Sequence, residues 1–218
     1  MSTSDVRSFY DRWARAYDWF ARVLPGLGRL RRAAVDALAL DAGDTAVDLG
    51  CGTGANLRYL REAVGPEGTV VGVDASRGML GVARQRVRRE GWRNVHLVRA
   101  DAARPPVRDA DAVLGTFVVG LFEDPGAVVE RWVDAVALGG RVAVLEAGRS
   151  SRPVARRLNR AFDAFVAAGN PTSDDAPSLT LDARIEAARD ALAARADLVV
   201  DDRHAAGFVR RFAGARRP

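Results

Sequence analysis

The stretch Asp48-Leu-Gly-Cys-Gly-Thr-Gly54 decides the fold that we predict for this chain. This stretch begins at the last residue of a short apolar run, Thr45–Asp48, and is followed by Ala55–Val64, which has helical character. Glycines permit positive φ angles and let the backbone approach a ligand closely, and the start of the following helix offers amide groups without helical partners. The stretch therefore predicts a strand, a ligand-binding glycine loop and a helix in succession.

Strands and helices alternate along the rest of the chain, which is typical of an α/β fold with a parallel sheet. We predict a doubly wound, mostly parallel seven-stranded sheet, whose strand ends form one ligand-binding edge. After the first strand, the predicted strands are Thr69–Asp74, Val95–Arg99, Asp111–Thr116, Arg141–Glu146 and two final apolar segments, Asp197–His204 and Gly207–Ala215. The main helices between them are Ser76–Glu90 and Pro125–Val136.

The 218 residues are expected to form one domain with four parts. These are an N-terminal helical cap (1–40), a cofactor-binding core (45–146), a helical lid (147–196) and a terminal strand hairpin (197–218). In the lid, a helix predicted over Pro153–Ala168 has one apolar face flanked by arginines. We interpret it as a cover over the substrate pocket, with peripheral contact to an anionic membrane as the alternative.

Three aspartates mark the ends of three successive predicted strands. The loop alone also fits the GxGxxG/A pattern of dinucleotide sites, and Asp74 lies where either kind of cofactor places an acid near a ribose. Asp48 separates the two alternatives, because a carboxylate there repels a pyrophosphate but attracts the sulfonium and ammonium of S-adenosylmethionine. Asp101 suits a hydrogen bond from the amine of adenine. The residues therefore favour S-adenosylmethionine over a nicotinamide cofactor.

Three motifs carry a resemblance to a known family. Val47–Gly54, Val73-Asp-Ala-Ser76 and Ala100-Asp-Ala102 resemble motifs I, II and III of the class I S-adenosylmethionine-dependent methyltransferases. Within that superfamily the chain is similar to the ubiquinone/menaquinone-biosynthesis C-methyltransferases and their small-molecule relatives. The aromatic segment Phe9–Asp18 and the strand Gly140–Glu146 carry this closer similarity.

The resemblance implies S-adenosylmethionine as cofactor and a methyltransferase activity. Together with the residue pattern, it gives the expected cofactor-binding set: Asp48, Gly50, Gly52, Thr53, Gly54, Asp74, Ala75, Met79, Asp101, Ala102, Thr116 and Phe117. The chain departs from the family after its fourth strand. There the segment Thr116–Phe122 lacks the histidine that the family often has, which leaves a quinone acceptor open.

Methyl transfer needs a general base only when the acceptor must lose a proton. Glu146, at the end of the fifth predicted strand, and Tyr17, on the aromatic face of the N-terminal helix, are the candidate catalytic residues. His96 and His204 are assigned to the sheet and the surface. Cys51 is expected to serve as a small loop residue, and no metal site is predicted.

The basic composition is compatible with several kinds of anionic partner and does not choose among them. The net charge is +5, and every one of the 33 basic residues is arginine. We expect a small apolar or amphipathic acceptor, such as a quinone precursor, a lipid or a secondary metabolite. Nucleic-acid methylation is disfavoured because the arginines are spread along the chain. A non-catalytic cofactor-binding partner subunit is a further alternative. One cysteine and no secretory leader predict a cytoplasmic protein.

Overall fold

A computed structural model describes residues 26–169 and 177–217. Its centre is a seven-stranded sheet. The strands are Thr45–Leu49 (β1), Thr69–Asp74 (β2), Val95–Arg99 (β3), Ala110–Thr116 (β4), Val136–Ala147 (β5), Ala196–His204 (β6) and Val209–Arg216 (β7). Their order in the sheet is β3-β2-β1-β4-β5-β7-β6. Pairing is parallel from β3 to β5, and β7 runs antiparallel to both β5 and β6. This arrangement confirms the predicted mostly parallel sheet.

Helices cover both faces of the sheet, as the prediction of a doubly wound fold requires. The described helices are Leu27–Asp36 (α1), Leu57–Val64 (α2), Arg77–Arg89 (α3), Pro125–Ala135 (α4), Asn159–Gly169 (α5) and Pro177–Arg195 (α6). The apolar sides of α1 and α2 pack on one face, and those of α4 and α6 pack on the other. None of the described helices has the length and apolar character needed to cross a membrane.

Two predicted boundaries, the start of β5 and the start of α5, shift by five residues or more in the structure. β5 begins at Val136, directly after α4, and its pairing with β4 is irregular, since Val136 pairs with Ala110 and Arg141 with Ala112. Gly139, at φ +78°, lies inside this irregular stretch. The register becomes regular at Arg141, so the predicted strand start coincides with the start of continuous pairing.

The helix predicted to begin at Pro153 begins at Asn159. Ser150 keeps the segment before Asn159 out of the α-helix, because its backbone amide donates to Asn159 Oδ1 at 2.9 Å and its hydroxyl donates to the carbonyl of Ala206 at 2.6 Å. Only a 3-10 turn, Arg156–Leu158, precedes the helix directly. Val154 and Leu158, predicted to lie on the inner face of that helix, are instead 92% and 57% exposed. Side-chain hydrogen bonds to the backbone compete with helix formation here.

Candidate functional site

The glycine loop is folded tightly over the end of β2. The amides of Gly50 and Cys51 both donate to the carbonyl of Val73, at 2.8 and 2.9 Å. Gly50 has φ +70°, and a Cβ at this position would lie 2.5 Å from Cγ2 of Val118. The loop therefore requires glycine here for two reasons, the backbone conformation and the contact with the segment after β4.

Asp74, the last residue of β2, organises the open side of the loop. Its Oδ2 accepts a hydrogen bond from the amide of Gly52, and its Oδ1 accepts one from the amide of Ser76, both at 2.8 Å. Ser76 in turn caps α3 by accepting from the amide of Met79 at 3.1 Å. Gly52 has φ +54°, and a Cβ there would meet nothing within 4 Å. The loop thus borders open space beside a half-buried carboxylate, which fits the ribose side of a nucleoside.

Asp101 and Ala102 follow β3 on the neighbouring strand. Asp101 is exposed, and its Oδ1 accepts from the amide of Ala103 at 3.0 Å. Ala102 is buried, and its carbonyl accepts from Nε1 of the fully buried Trp132 at 2.8 Å. Because β3, β2 and β1 are neighbours in the sheet, these residues share one edge with Asp74 and the glycine loop. The expected adenosine-binding residues are therefore grouped along that edge.

Asp48 lies deeper than the sequence pattern suggests. It pairs in register with Gly72, two residues before the end of β2, and it is fully buried. Its two oxygens accept from Nδ2 of Asn56 at 3.0 and 3.2 Å. Burial raises the pKa of Asp48 to about 7, although the hydrogen bond from Asn56 and the charge of Arg31 oppose the rise. The carboxylate is held beneath the loop, on the side of α1 and α2.

Arg31 of α1 completes a buried polar network under the loop. Its Nη1 donates to Asn56 Oδ1 at 2.6 Å and to Thr116 Oγ1 at 3.0 Å. Thr116, which ends β4, also accepts from Asn56 Nδ2 at 3.0 Å. The guanidinium lies 5.2 Å from the ring centre of Phe117. Arg31 therefore links α1 to the start of α2 and to the end of β4, beneath the glycine loop.

Phe117 turns the chain sharply after β4. It has φ +55°, a left-handed conformation that is uncommon for an aromatic residue. The hydrogen bond from its amide to the carbonyl of Leu145, at 2.8 Å, and the contact with Arg31 hold this geometry. Strained residues of this kind are concentrated at functional sites. Thr116 and Phe117 consequently present a fixed backbone at the same edge as the glycine loop.

Glu146, the candidate base, is buried near the end of β5. Its Oε1 accepts from the amides of Val118 and Val119, at 2.5 and 2.7 Å. Burial raises the pKa of Glu146 to about 7, against the lowering effect of these backbone hydrogen bonds. The carboxylate thus anchors the turn after β4. The second candidate, Tyr17, lies outside the described residues.

The remaining expected residues surround the loop. Thr53 is buried, and Gly54 packs so closely that a Cβ would lie 2.6 Å from Cδ1 of Leu57. Nη1 of Arg86, on α3, donates to the carbonyl of Gly54 at 2.8 Å. Ala75 is half-buried beside Asp74. Burial raises the pKa of the Cys51 thiol well above its ordinary value, which agrees with a space-filling role.

Sequence reasoning missed three residues that shape this site: Arg31, Asn56 and Trp132. No local signal separates Arg31 from its neighbours Arg29 and Arg32. Asn56 had a weak signal, as the only amide side chain next to the glycine loop. Their roles depend on contacts between segments far apart in the chain.

Comparison with known proteins is consistent with this geometry. A family model described as a methyltransferase domain matches residues 46–140. The chain is 37% identical over 114 residues to the aklanonic acid methyltransferase of Streptomyces sp. (strain C5), covering 51% of this chain and 52% of that protein. It is 31% identical over 156 residues to the demethylmenaquinone methyltransferase of Lactobacillus johnsonii, covering 69% and 64% of the two chains.

The matched stretches thus span between about half and two thirds of these relatives. Among solved structures, a methyltransferase from Aquifex aeolicus, described as dependent on S-adenosylmethionine, superposes with a TM-score of 0.64 at 17% identity. That superposition covers 88% of this chain and 93% of the other, and it shows a shared fold.

Proposed function

We propose that this chain, whose residues 46–140 match the methyltransferase-domain model, transfers the methyl group of S-adenosylmethionine to a small apolar or amphipathic acceptor. One observation carries the proposal. Gly52 borders open space while its amide is held by Asp74, and Asp101 lies on the same edge, one strand further along. This cradle fits a nucleoside with two hydroxyl groups and an exocyclic amine.

The residues present fit the cofactor in distinct ways. We assign Asp74 to the ribose hydroxyls, Asp101 to the adenine amine, and the backbone of Gly50 to Gly54 to the methionine portion. Asp48 lies beneath the loop, where both of its oxygens accept from Asn56, and its ionised form would attract the sulfonium. When bound, S-adenosylmethionine supplies a methyl group on a positively charged sulfur, which leaves readily once the acceptor attacks in line.

The protein's own contribution is then positioning. The Arg31 network fixes Thr116 and Phe117, and Glu146 fixes the amides of Val118 and Val119. These two anchors hold the turn that borders the acceptor's approach. We therefore give Glu146 a positioning role, because its Oε1 already accepts two backbone hydrogen bonds.

Two observations support the proposed class of methyl acceptor: the names of the related proteins and the exposed residues of the loop after β5. The names of the relatives point to aklanonic acid and demethylmenaquinone as acceptors, which supports a hydrophobic ring system here. Val154 and Leu158 are exposed beside Arg152 and Arg157. Such a mixed surface suits an amphipathic acceptor, and brief contact with an anionic membrane that supplies it. Cosedimentation with phosphatidylglycerol vesicles, weakened in Val154→Asp, tests the membrane contact.

Calorimetry with S-adenosylmethionine, S-adenosylhomocysteine and NADH tests the cofactor. We expect micromolar binding of the first two, loss of it in Asp74→Ala, and no binding of NADH. Binding of NADH alone would overturn the proposal. Release of S-adenosylhomocysteine with a panel of hydroxyquinones then tests turnover, and turnover excludes the alternative of a non-catalytic partner subunit. Transfer to RNA instead would support nucleic-acid methylation.

A further inference from the structure

A cavity of about 470 Å³ lies at the carboxyl edge of the sheet, on the α6 side. This volume is in the range of small-molecule sites. Among the described residues, those that line it all have polar or charged side chains. The charged members are Arg149, Arg203, Arg210, Asp182 and Glu186, and serine and asparagine side chains between residues 150 and 159 complete the lining.

The walls of this cavity are fixed by hydrogen bonds. The amide and carbonyl of Ser150 are both bound by the side-chain amide of Asn159, at 2.9 and 3.1 Å. Oδ1 of Asp182 accepts from the amide of Arg149 at 3.0 Å, and the Arg149 guanidinium pairs with Asp163 at 2.9 Å. Binding of a ligand therefore costs little side-chain conformational entropy, because these hydrogen bonds already order the walls of the site.

Three arginines and two acids line the cavity, and the Arg149 guanidinium is already paired with Asp163. The carboxylate of Glu186 is shared by two guanidinium groups, since it pairs with Arg210 and lies 3.7 Å from Arg203. Asp182 uses an oxygen to hold the backbone of Arg149. Arg210 has only 12% of its side chain exposed, so its charge is weakly screened by solvent. Two guanidinium groups that share one carboxylate, of which Arg203 makes only the longer contact, leave donors for the carboxylate of a ligand.

The cavity is close to the proposed site of methyl transfer. Arg210 pairs in register with Glu146, which holds the turn after β4. Two strand spacings, or roughly 10 Å, separate β4 from β7 across β5. The wall formed by α6 also contacts that turn directly, because Nη1 of Arg184 donates to the carbonyl of Gly120 at 3.0 Å. A fused-ring acceptor can therefore span the distance from the turn to the arginines.

We propose that this cavity binds a carboxylate at the far end of the methyl acceptor, with Arg203 and Arg210 as its recognition residues. The proposal rests on the proposed function for its biological meaning. A guanidinium group offers a planar fork of donors that matches a carboxylate. The site thereby selects acceptors in which an acidic group lies opposite the atom that is methylated.

Cinnamate and its neutral analogue methyl cinnamate are suitable probes, because they differ in the charge of one group. Both are titrated by NMR into protein loaded with S-adenosylhomocysteine. Arg203→Gln removes one recognition residue. Glu186→Gln removes the carboxylate that competes with the ligand. Arg195, the last residue of α6, forms an exposed pair with Asp134 of α4, and Arg195→Gln is the matched control.

We expect the wild type to bind cinnamate more tightly than methyl cinnamate. Arg203→Gln should weaken cinnamate binding about tenfold, the equivalent of one charge-assisted hydrogen bond. Glu186→Gln should strengthen it, an effect that damage to the fold would not produce, and Arg195→Gln should leave it unchanged.

Equal affinity for the two probes, no binding of cinnamate, or weakening in Glu186→Gln would overturn the carboxylate site. Binding of S-adenosylhomocysteine is measured separately in each variant. Its absence with cinnamate binding intact would reject the methyltransferase proposal while leaving the cavity as a carboxylate site.

Discussion

Gly50 and Val118 are in contact across the edge of the sheet, so that a Cβ at Gly50 would lie 2.5 Å from Cγ2 of Val118. The contact joins the glycine loop after β1 to the turn after β4. Glu146 holds that same turn from β5 through the amide of Val118. Three neighbouring strands thus fix one another's ends, and changes at any of them are expected to reach the cofactor loop.

Substitution of alanine for two loop glycines should separate packing from ligand binding. Gly50→Ala combines a steric conflict with a positive φ, so we expect it to lower the free energy of unfolding by about 2 kcal/mol or more. Gly52→Ala has a positive φ but meets open space, so it should destabilise less and still weaken S-adenosylhomocysteine binding by filling the cradle. Thermal melts and calorimetry measure the two effects. Equal destabilisation by both substitutions would contradict this account.

Arg31→Met should loosen the network beneath the loop. It removes hydrogen bonds to Asn56 and Thr116 from a buried site, which we expect to cost about 2 kcal/mol of stability. Cofactor affinity should fall as well, because Thr116 and Phe117 lose their anchor. Arg32→Met is the matched control, since the neighbouring Arg32 is exposed and should change neither property. Denaturant unfolding and calorimetry compare the pair, and similar behaviour of the two variants would refute the role of Arg31.

Asp48→Asn should change how stability depends on pH. Burial raises the pKa of Asp48 from 3.8 to about 7, so the folded protein holds this proton more tightly than the unfolded chain does. The resulting contribution to the free energy of unfolding is fully present below the unfolded pKa and is lost as pH rises toward 7. The variant lacks this loss. Its stability relative to the wild type should therefore increase by roughly 3 kcal/mol between about pH 5 and pH 8.

Denaturant unfolding of both proteins at the two pH values measures this difference. Cofactor affinity of Asp48→Asn should fall at neutral pH if the buried charge attracts the sulfonium. A stability difference that does not vary with pH would show that Asp48 titrates normally.

Two substitutions at Glu146 distinguish a positioning residue from a general base. Glu146→Gln keeps an oxygen that can accept from the amides of Val118 and Val119, whereas Glu146→Ala leaves both buried donors without it. If Glu146 positions the turn, the glutamine variant should retain most activity, with a flatter pH profile of stability between about pH 5 and pH 7. The alanine variant should lose activity and about 2 kcal/mol of stability. Equal loss of activity in both variants would support the general base.

The fold could be predicted from the sequence because its signals are local. Alternating apolar runs, the glycine loop and the acids at strand ends each lie within a few residues, and the structure bears out the sheet and the helices on both faces. The terminal hairpin was likewise predicted and is present as β6 and β7. The start of the helix after β5 was predicted wrongly because the side chain of Asn159 is hydrogen-bonded to the backbone of Ser150. The spacing of apolar residues in the sequence does not reveal such a contact.

The sequence by itself determined the chemistry available at the edge of the sheet: a loop of glycines, Asp74 and Asp101. Only the tertiary structure decided which charges are buried and with what partners. It placed Asp48 beneath the loop, selected Arg31 from a run of similar arginines, and directed Glu146 at the backbone of another strand. The physical reason is that burial and hydrogen bonding set the state of an ionisable group, and both depend on segments that are distant in sequence.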